Sequence, residues 1–203
     1  MLKLYRRIIC YSVAVAWGTL TLSILFEFAI SNFLYGISKY LSNVMIGIFC
    51  STLVVILTTY LQYKSEQSNL LNLLSTKTRQ LVFRYSLAEI QLEENENVSG
   101  QYYSEQIDNL SVFLKEVNDI TTELCFCQKK YNDLLERIIR SILKCRIVIH
   151  SDITVNPQEA INDFIKKTKN EIVIVCKNML LMNVHEYDKK EFQRYIDENG
   201  DNR

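Results

Sequence analysis

The chain has 203 residues, with 23 basic and 23 acidic side chains, one proline, five glycines and six cysteines. Nothing in a formal charge of zero suggests a nucleic-acid partner. The balance conceals an asymmetry: over residues 8–63 only Glu27 and Lys39 are charged, whereas charges are frequent from Lys64 onward. The first third has a membrane composition and the remainder a soluble one.

Residues 8–26 and 40–63 are uncharged, and each is long enough to cross a bilayer. Inside lipid the backbone must satisfy its own hydrogen bonds, so both are predicted as helices. The spans are expected at about 8–30 and 40–63, joined by a short connection and folded back as an antiparallel hairpin. Lys3, Arg6 and Arg7 precede the first span, and Lys64, Lys77, Arg79 and Arg84 follow the second. The connection holds only Lys39. The positive-inside rule then places both termini in the cytoplasm and the chain in the cell (inner) membrane, with the lipid bilayer as its first partner. A cleaved signal peptide is the competing reading of the N-terminus. The apolar run is too long for it, and Glu27 sits where cleavage would be prepared.

Glu27 interrupts the run "LTLSILFEFAIS" at residues 20–31. Helical steps back from it reach Ser23, Thr19, Ala16 and Ser12, all small or polar. The second span has a matching stripe: Asn43, Gly47, Ser51, Thr58 and Gln62, with Val55 as the apolar exception. Two readings share these faces. In one, small residues let helices approach closely and hydroxyls bond across the contact. In the other, several copies turn the stripes inward around a pore, and Glu27 forms an acidic ring that favours cations.

Past the membrane the pattern becomes heptads. Leu71, Leu74, Thr78, Leu81, Tyr85, Ala88 and Leu92 follow alternating steps of three and four, as in a coiled-coil seam. No proline or glycine separates this seam from the second span, so one continuous helix is predicted. The run "EENENVSGQ" at 93–101 has no apolar face and supplies turn chemistry. A second seam follows: Tyr103, Ile107, Leu110, Leu114, Val117, Thr121, Leu124, Gln128, Tyr131, Leu135, Ile138, Ile142 and Cys145, with room for a break near Cys125-Phe126-Cys127. Phe113, Ile120, Leu134 and Ile139 widen the stripe toward the face of a multi-helix bundle. These seams are read as surfaces for packing on other copies or on the C-terminal region.

The last third reads differently. "RIVIH" at 146–150 and "EIVIVC" at 171–176 are short and β-branched, and are expected to be strands. Between them Asn156, Pro157 and Glu159 mark a helix start. A closing helix is expected over about 186–198. The whole is thus predicted to be mainly α: a two-span hairpin (1–63), a cytoplasmic helical hairpin (64–147) and a small C-terminal α/β region (148–203).

Catalytic signatures are missing. The chain has no glycine-rich phosphate loop, HExxH or GxSxG, and only two histidines, His150 and His185. Cys125, Cys127, Cys145 and His150 do not have a zinc-site spacing, so the cysteines read as core thiols kept reduced in the cytoplasm. Two glycosylation-type triplets, at Asn97 and Asn109, read as chance matches. No cofactor and no metal are expected. The chain is expected to be a non-enzymatic, homo-oligomeric membrane effector or ion channel whose cytoplasmic part senses a ligand or protein partner. In architecture alone, without a shared motif, this layout is similar to that of small two-span effectors of bacterial anti-phage systems, which perturb the membrane when activated. The alternative is a membrane-anchored coiled-coil scaffold that recruits a cytoplasmic partner.

Overall fold

The computed structural model describes residues 2–29, 35–94, 100–126, 129–149 and 157–200. Within these, side-chain surroundings are not described for 29, 35–36, 38, 91–94, 100–107, 129, 148–149 and 157–164. The described residues form six α-helices and no strand: α1 (Leu2–Ala29), α2 (Tyr35–Glu94), α3 (Gly100–Cys125), α4 (Asn132–Ile149), α5 (Pro157–Leu180) and α6 (Glu186–Asn199). A 3-10 turn, Lys129–Tyr131, precedes α4. Two helices are long and apolar enough to cross a membrane: α1 over Leu2–Phe28, and α2 within Lys39–Ile90. The chain divides into two units, Met1–Ser68 and Asn69–Arg203, and α2 contributes to both.

In the first unit α1 lies against the start of α2. The Ser23 and Ser42 hydroxyls are 3.1 Å apart and hydrogen-bonded. Ser23 lies six residues before the end of α1 and Ser42 seven after the start of α2. Helices touching that close to a five-residue connection must run antiparallel. Most of the buried and half-buried positions step by three and four on both helices: 2, 5, 9, 12, 16, 19, 23 and 26 on α1, and 42, 45, 49, 52, 56, 59 and 63 on α2, with 8, 20 and 41 beside them. Small side chains at Ala16, Ser23, Ser42 and Thr59 let the backbones approach.

The second unit is a helical bundle with a conventional apolar core. α3 packs on α4, α4 on α5, and α5 on α6. The described members of both seams read from the sequence are inside it. Leu71, Leu74, Leu81, Tyr85, Leu110, Leu114, Val117, Leu124, Leu135, Ile138, Ile142 and Cys145 are all buried within the single chain. Phe113, Ile120 and Leu134 pack partly buried against this core, as a widened stripe requires. Burying each such Leu or Ile contributes roughly 1.5–3 kcal/mol. Leu92, Ile107 and Tyr103 sit in helices but outside the described side chains, and Gln128 lies outside the described residues.

Polar ties hold α2 to three other helices. Lys77 pairs with Glu116 of α3 at 2.8 Å. The Tyr85 hydroxyl donates to the Ile165 carbonyl of α5 at 2.6 Å, and Lys169 reaches Glu89 at 2.8 Å. Ser75 donates to the Asp188 carboxylate of α6 at 2.7 Å.

The expected C-terminal α/β region is not found: residues 146–149 lie in α4 and residues 171–176 in α5. The reason lies in the burial pattern. Ile172, Val173, Val175, Cys176 and Met179 are buried while Ile174 and Lys177 face outward. Pairs of buried residues separated by single exposed ones follow a helical face, not the strict alternation of a strand. β-branched residues lower helix propensity by only tenths of a kcal/mol each, and core burial outweighs that. The helix start expected at Pro157 coincides with the first residue of α5; Asn156 and His150 lie outside the described residues. α6 covers the span expected for the closing helix, with Glu186 and Asp188 in its first turn opposing the helix dipole.

Candidate functional site

The two polar stripes of the first unit have different environments. On α1, Ala16 and Ser23 are buried and Ser12 and Thr19 half-buried, so this stripe faces α2. The Thr19 hydroxyl bonds the carbonyls of Val15 and Ala16, both at 3.0 Å. Glu27 lies one turn beyond Ser23 and is exposed.

On α2, Asn43, Gly47, Ser51, Thr58 and Gln62 are all exposed. The pairing with α1 uses the far side of the helix, through Ser42, Met45, Phe49, Thr52, Ile56 and Thr59. A Cβ built on Gly47 would meet no atom within 4 Å, so that face is open. Ser51 donates to the Gly47 carbonyl at 2.9 Å, and Thr58 to the Val54 carbonyl at 2.9 Å. Their hydrogen-bonding is thus met inside the helix. The same face also carries two side-chain amides, at Asn43 and Gln62.

Sequence spacing therefore locates both stripes but does not say which one is covered. Ser42 and Thr59, polar residues that α2 buries within its apolar stretch, escaped the sequence reading. Their heptad register with Met45, Phe49, Thr52 and Ile56 is the signal that marks them.

A second candidate lies within the bundle. A cavity of about 630 Å³ opens between α2 and α6, lined among others by Arg79, Phe83, Tyr187, Phe192, Arg194 and Tyr195. The volume suits a small organic ligand. Arg79 is 3.4 Å from Asp188 and its guanidinium stands 5.2 Å from the centre of the Tyr187 ring. Arg194 pairs with Glu191 at 2.6 Å. Asp188 is only 5% exposed and is held by both Ser75 and Arg79. Nothing in the sequence around Asp188 distinguished it from an acidic residue in a first helical turn.

Among the described residues no group of His, Cys, Asp and Glu could hold a metal ion. Burial, with Glu171 nearby, pushes the Cys145 thiol up to about 12, and burial alone raises Cys176 to about 12. Both stay protonated at neutral pH and are poor nucleophiles. Cys127 lies outside the described residues.

Comparison with known proteins finds no matching family model, no matching curated sequence and no matching solved structure.

Proposed function

We propose that the chain is an oligomeric two-span effector of the inner membrane that conducts ions, with both termini in the cytoplasm. One observation carries this reading: after α1 has packed on α2, the polar stripe of α2 is still open. Hydrocarbon cannot solvate the amides of Asn43 and Gln62. Bringing the stripes of several copies together around water satisfies those groups and lines a pore with hydroxyls and amides. Glu27, exposed near the other end of the hairpin from Arg6 and Arg7, supplies a ring of negative charge that favours cations.

The bundle is the sensing part. A ligand entering the α2–α6 cavity and engaging Arg79 competes with Asp188 for the guanidinium. That loosens α6 from α2, the helix that also carries the stripe. The proposed setting, bacterial anti-phage defence, rests on the layout alone.

Thiol accessibility during flux tests the pore. In a background lacking Cys10 and Cys50, Ser51→Cys and Thr58→Cys are expected to let a water-soluble thiol reagent block cation flux through liposomes. Thr52→Cys and Thr59→Cys, on the side facing α1, are expected to be insensitive. Glu27→Gln should lower cation flux severalfold. Flux that the reagent leaves untouched at Ser51 and Thr58 would end the pore reading.

The scaffold alternative draws on exposed apolar side chains of the bundle, among them Phe83, Ile147 and Leu181. These offer contact points for a recruited protein. Replacing the spans with an unrelated anchor separates the two: a scaffold keeps its function and a channel loses it.

A further inference from the structure

The charges of the first unit gather at one end. Ser23 and Ser42 fix the register of the antiparallel pair near its connection. From that contact Arg7 lies about 24 Å along α1, Lys3 about 30 Å, and Lys64 about 33 Å along α2, at helical rise. The basic residues of the two helices thus meet at the end away from the connection. Four basic side chains, Lys3, Arg6, Arg7 and Lys64, stand there against one acidic residue, Glu66, and all four are exposed. The connection end carries one charge of each sign, Glu27 and Lys39.

Aromatic rings flank the basic end. Tyr60 is about half exposed, and the Lys64 ammonium stands 6.0 Å from the centre of its ring. Tyr11 projects outward one turn beyond Arg7. Tyrosines at this level sit where hydrocarbon meets head groups, and long basic side chains extend past them toward phosphate. The outward faces next to the collar, at Val13, Val15 and Leu57, are apolar and exposed. Acyl chains cover such faces, and the head groups of the same lipids then fall level with the collar.

We propose that this collar selectively binds anionic phospholipid head groups. The complementarity is of charge: several guanidinium and ammonium groups meet phosphates that carry a net negative charge, whereas zwitterionic head groups offer none. Each basic residue near such a surface contributes a comparable increment. Anionic lipid is therefore expected to be enriched around one end of the hairpin and not the other. The inference rests on the membrane reading of α1 and α2.

The chain carries its own reporter. Trp17 is the sole tryptophan, is 65% exposed, and lies about 15 Å along α1 from Arg7, within reach of the acyl chains of a lipid seated on the collar. The full chain is reconstituted in vesicles that mix phosphatidylglycerol and phosphatidylcholine, with bromine on the chains of one lipid or the other. Brominated phosphatidylglycerol is expected to quench Trp17 more strongly at equal mole fraction, with a severalfold ratio of apparent association constants. Raised salt should shrink that ratio. The Arg6→Gln, Arg7→Gln, Lys64→Gln triple variant should bring it close to one, while Lys39→Gln keeps the wild-type ratio. Equal quenching by the two lipids in the wild type would overturn the collar and leave the membrane reading standing. A triple variant that is still quenched and keeps the full preference would overturn it too. No quenching by either lipid would overturn the membrane reading, and the collar with it.

Discussion

Compare residue 42–63 of α2 with residues 69–88 of the same helix. Both stretches bury positions that step by three and four. In the first, the covered positions include Ser42, Thr52 and Thr59, and the outward ones include Val54, Leu57 and Leu61. In the second, the covered positions are Leu71, Leu74, Ser75, Thr78, Leu81, Tyr85 and Ala88, and the outward ones include Gln80 and Arg84 beside Leu73 and Phe83. The step sets how a helix packs. The chemistry placed outward sets which solvent it can face. A heptad pattern alone therefore does not identify a soluble coiled coil or a membrane hairpin.

The contrast can be broken most directly at two leucines. Leu81→Ala removes fully buried atoms from the bundle and should cost about 2–5 kcal/mol, read as a lower denaturation midpoint for the bundle. Leu57→Ala removes the same atoms from a side chain that is 59% exposed, and should leave that midpoint unchanged. Equal losses would show that the two halves of α2 are not built on opposite principles.

A smaller effect comes from alkaline pH. Cys145 and Cys176 keep their protons in the folded bundle to about pH 12, against 9.0 for an ordinary thiol. Between those values the unfolded chain binds fewer protons than the folded one. Stability is thus complete below about pH 9 and is lost as pH rises through about 12, by on the order of 1 kcal/mol per thiol near pH 10. Burial also raises the Tyr195 hydroxyl, which acts in the same direction. Comparing denaturation midpoints at pH 7 and pH 10 checks this. A Cys145→Ala, Cys176→Ala variant should lose less than the wild type over that interval.

The smallest effect belongs to the hairpin. Ser42→Ala removes the hydroxyl–hydroxyl bond between the helices and leaves the Ser23 hydroxyl the Ser42 carbonyl at 3.5 Å, at a cost of about 0.6 kcal/mol. Helix-association measurements on the full chain in bilayers read this directly. A cost beyond about 2 kcal/mol would mean that polar contacts, rather than close backbone packing, hold α1 to α2.

Much of the architecture was legible because the seams are long. Leu110, Leu114, Val117 and Leu124 repeat often enough that no other period fits, and all are buried. Gly100 and its acidic neighbours separated α2 from α3 for a local chemical reason. The strands expected near 147 and 173 failed because five or six residues are too few to separate a buried helix segment from a strand by composition. Reading on to Met179 would have exposed the helical period. For the candidate site, spacing located Ser51 and Thr58 on one face. It could not show that α1 leaves that face open, since coverage depends on which side of α2 the neighbouring helix chooses.

The hydroxyls of Ser51 and Thr58 are bonded to the carbonyls one turn earlier in their own helix. This has a consequence for biogenesis. On the proposed membrane assembly, a newly inserted copy would carry no orphaned hydroxyl at these positions, and only the amides of Asn43 and Gln62 would be left for neighbouring copies to satisfy.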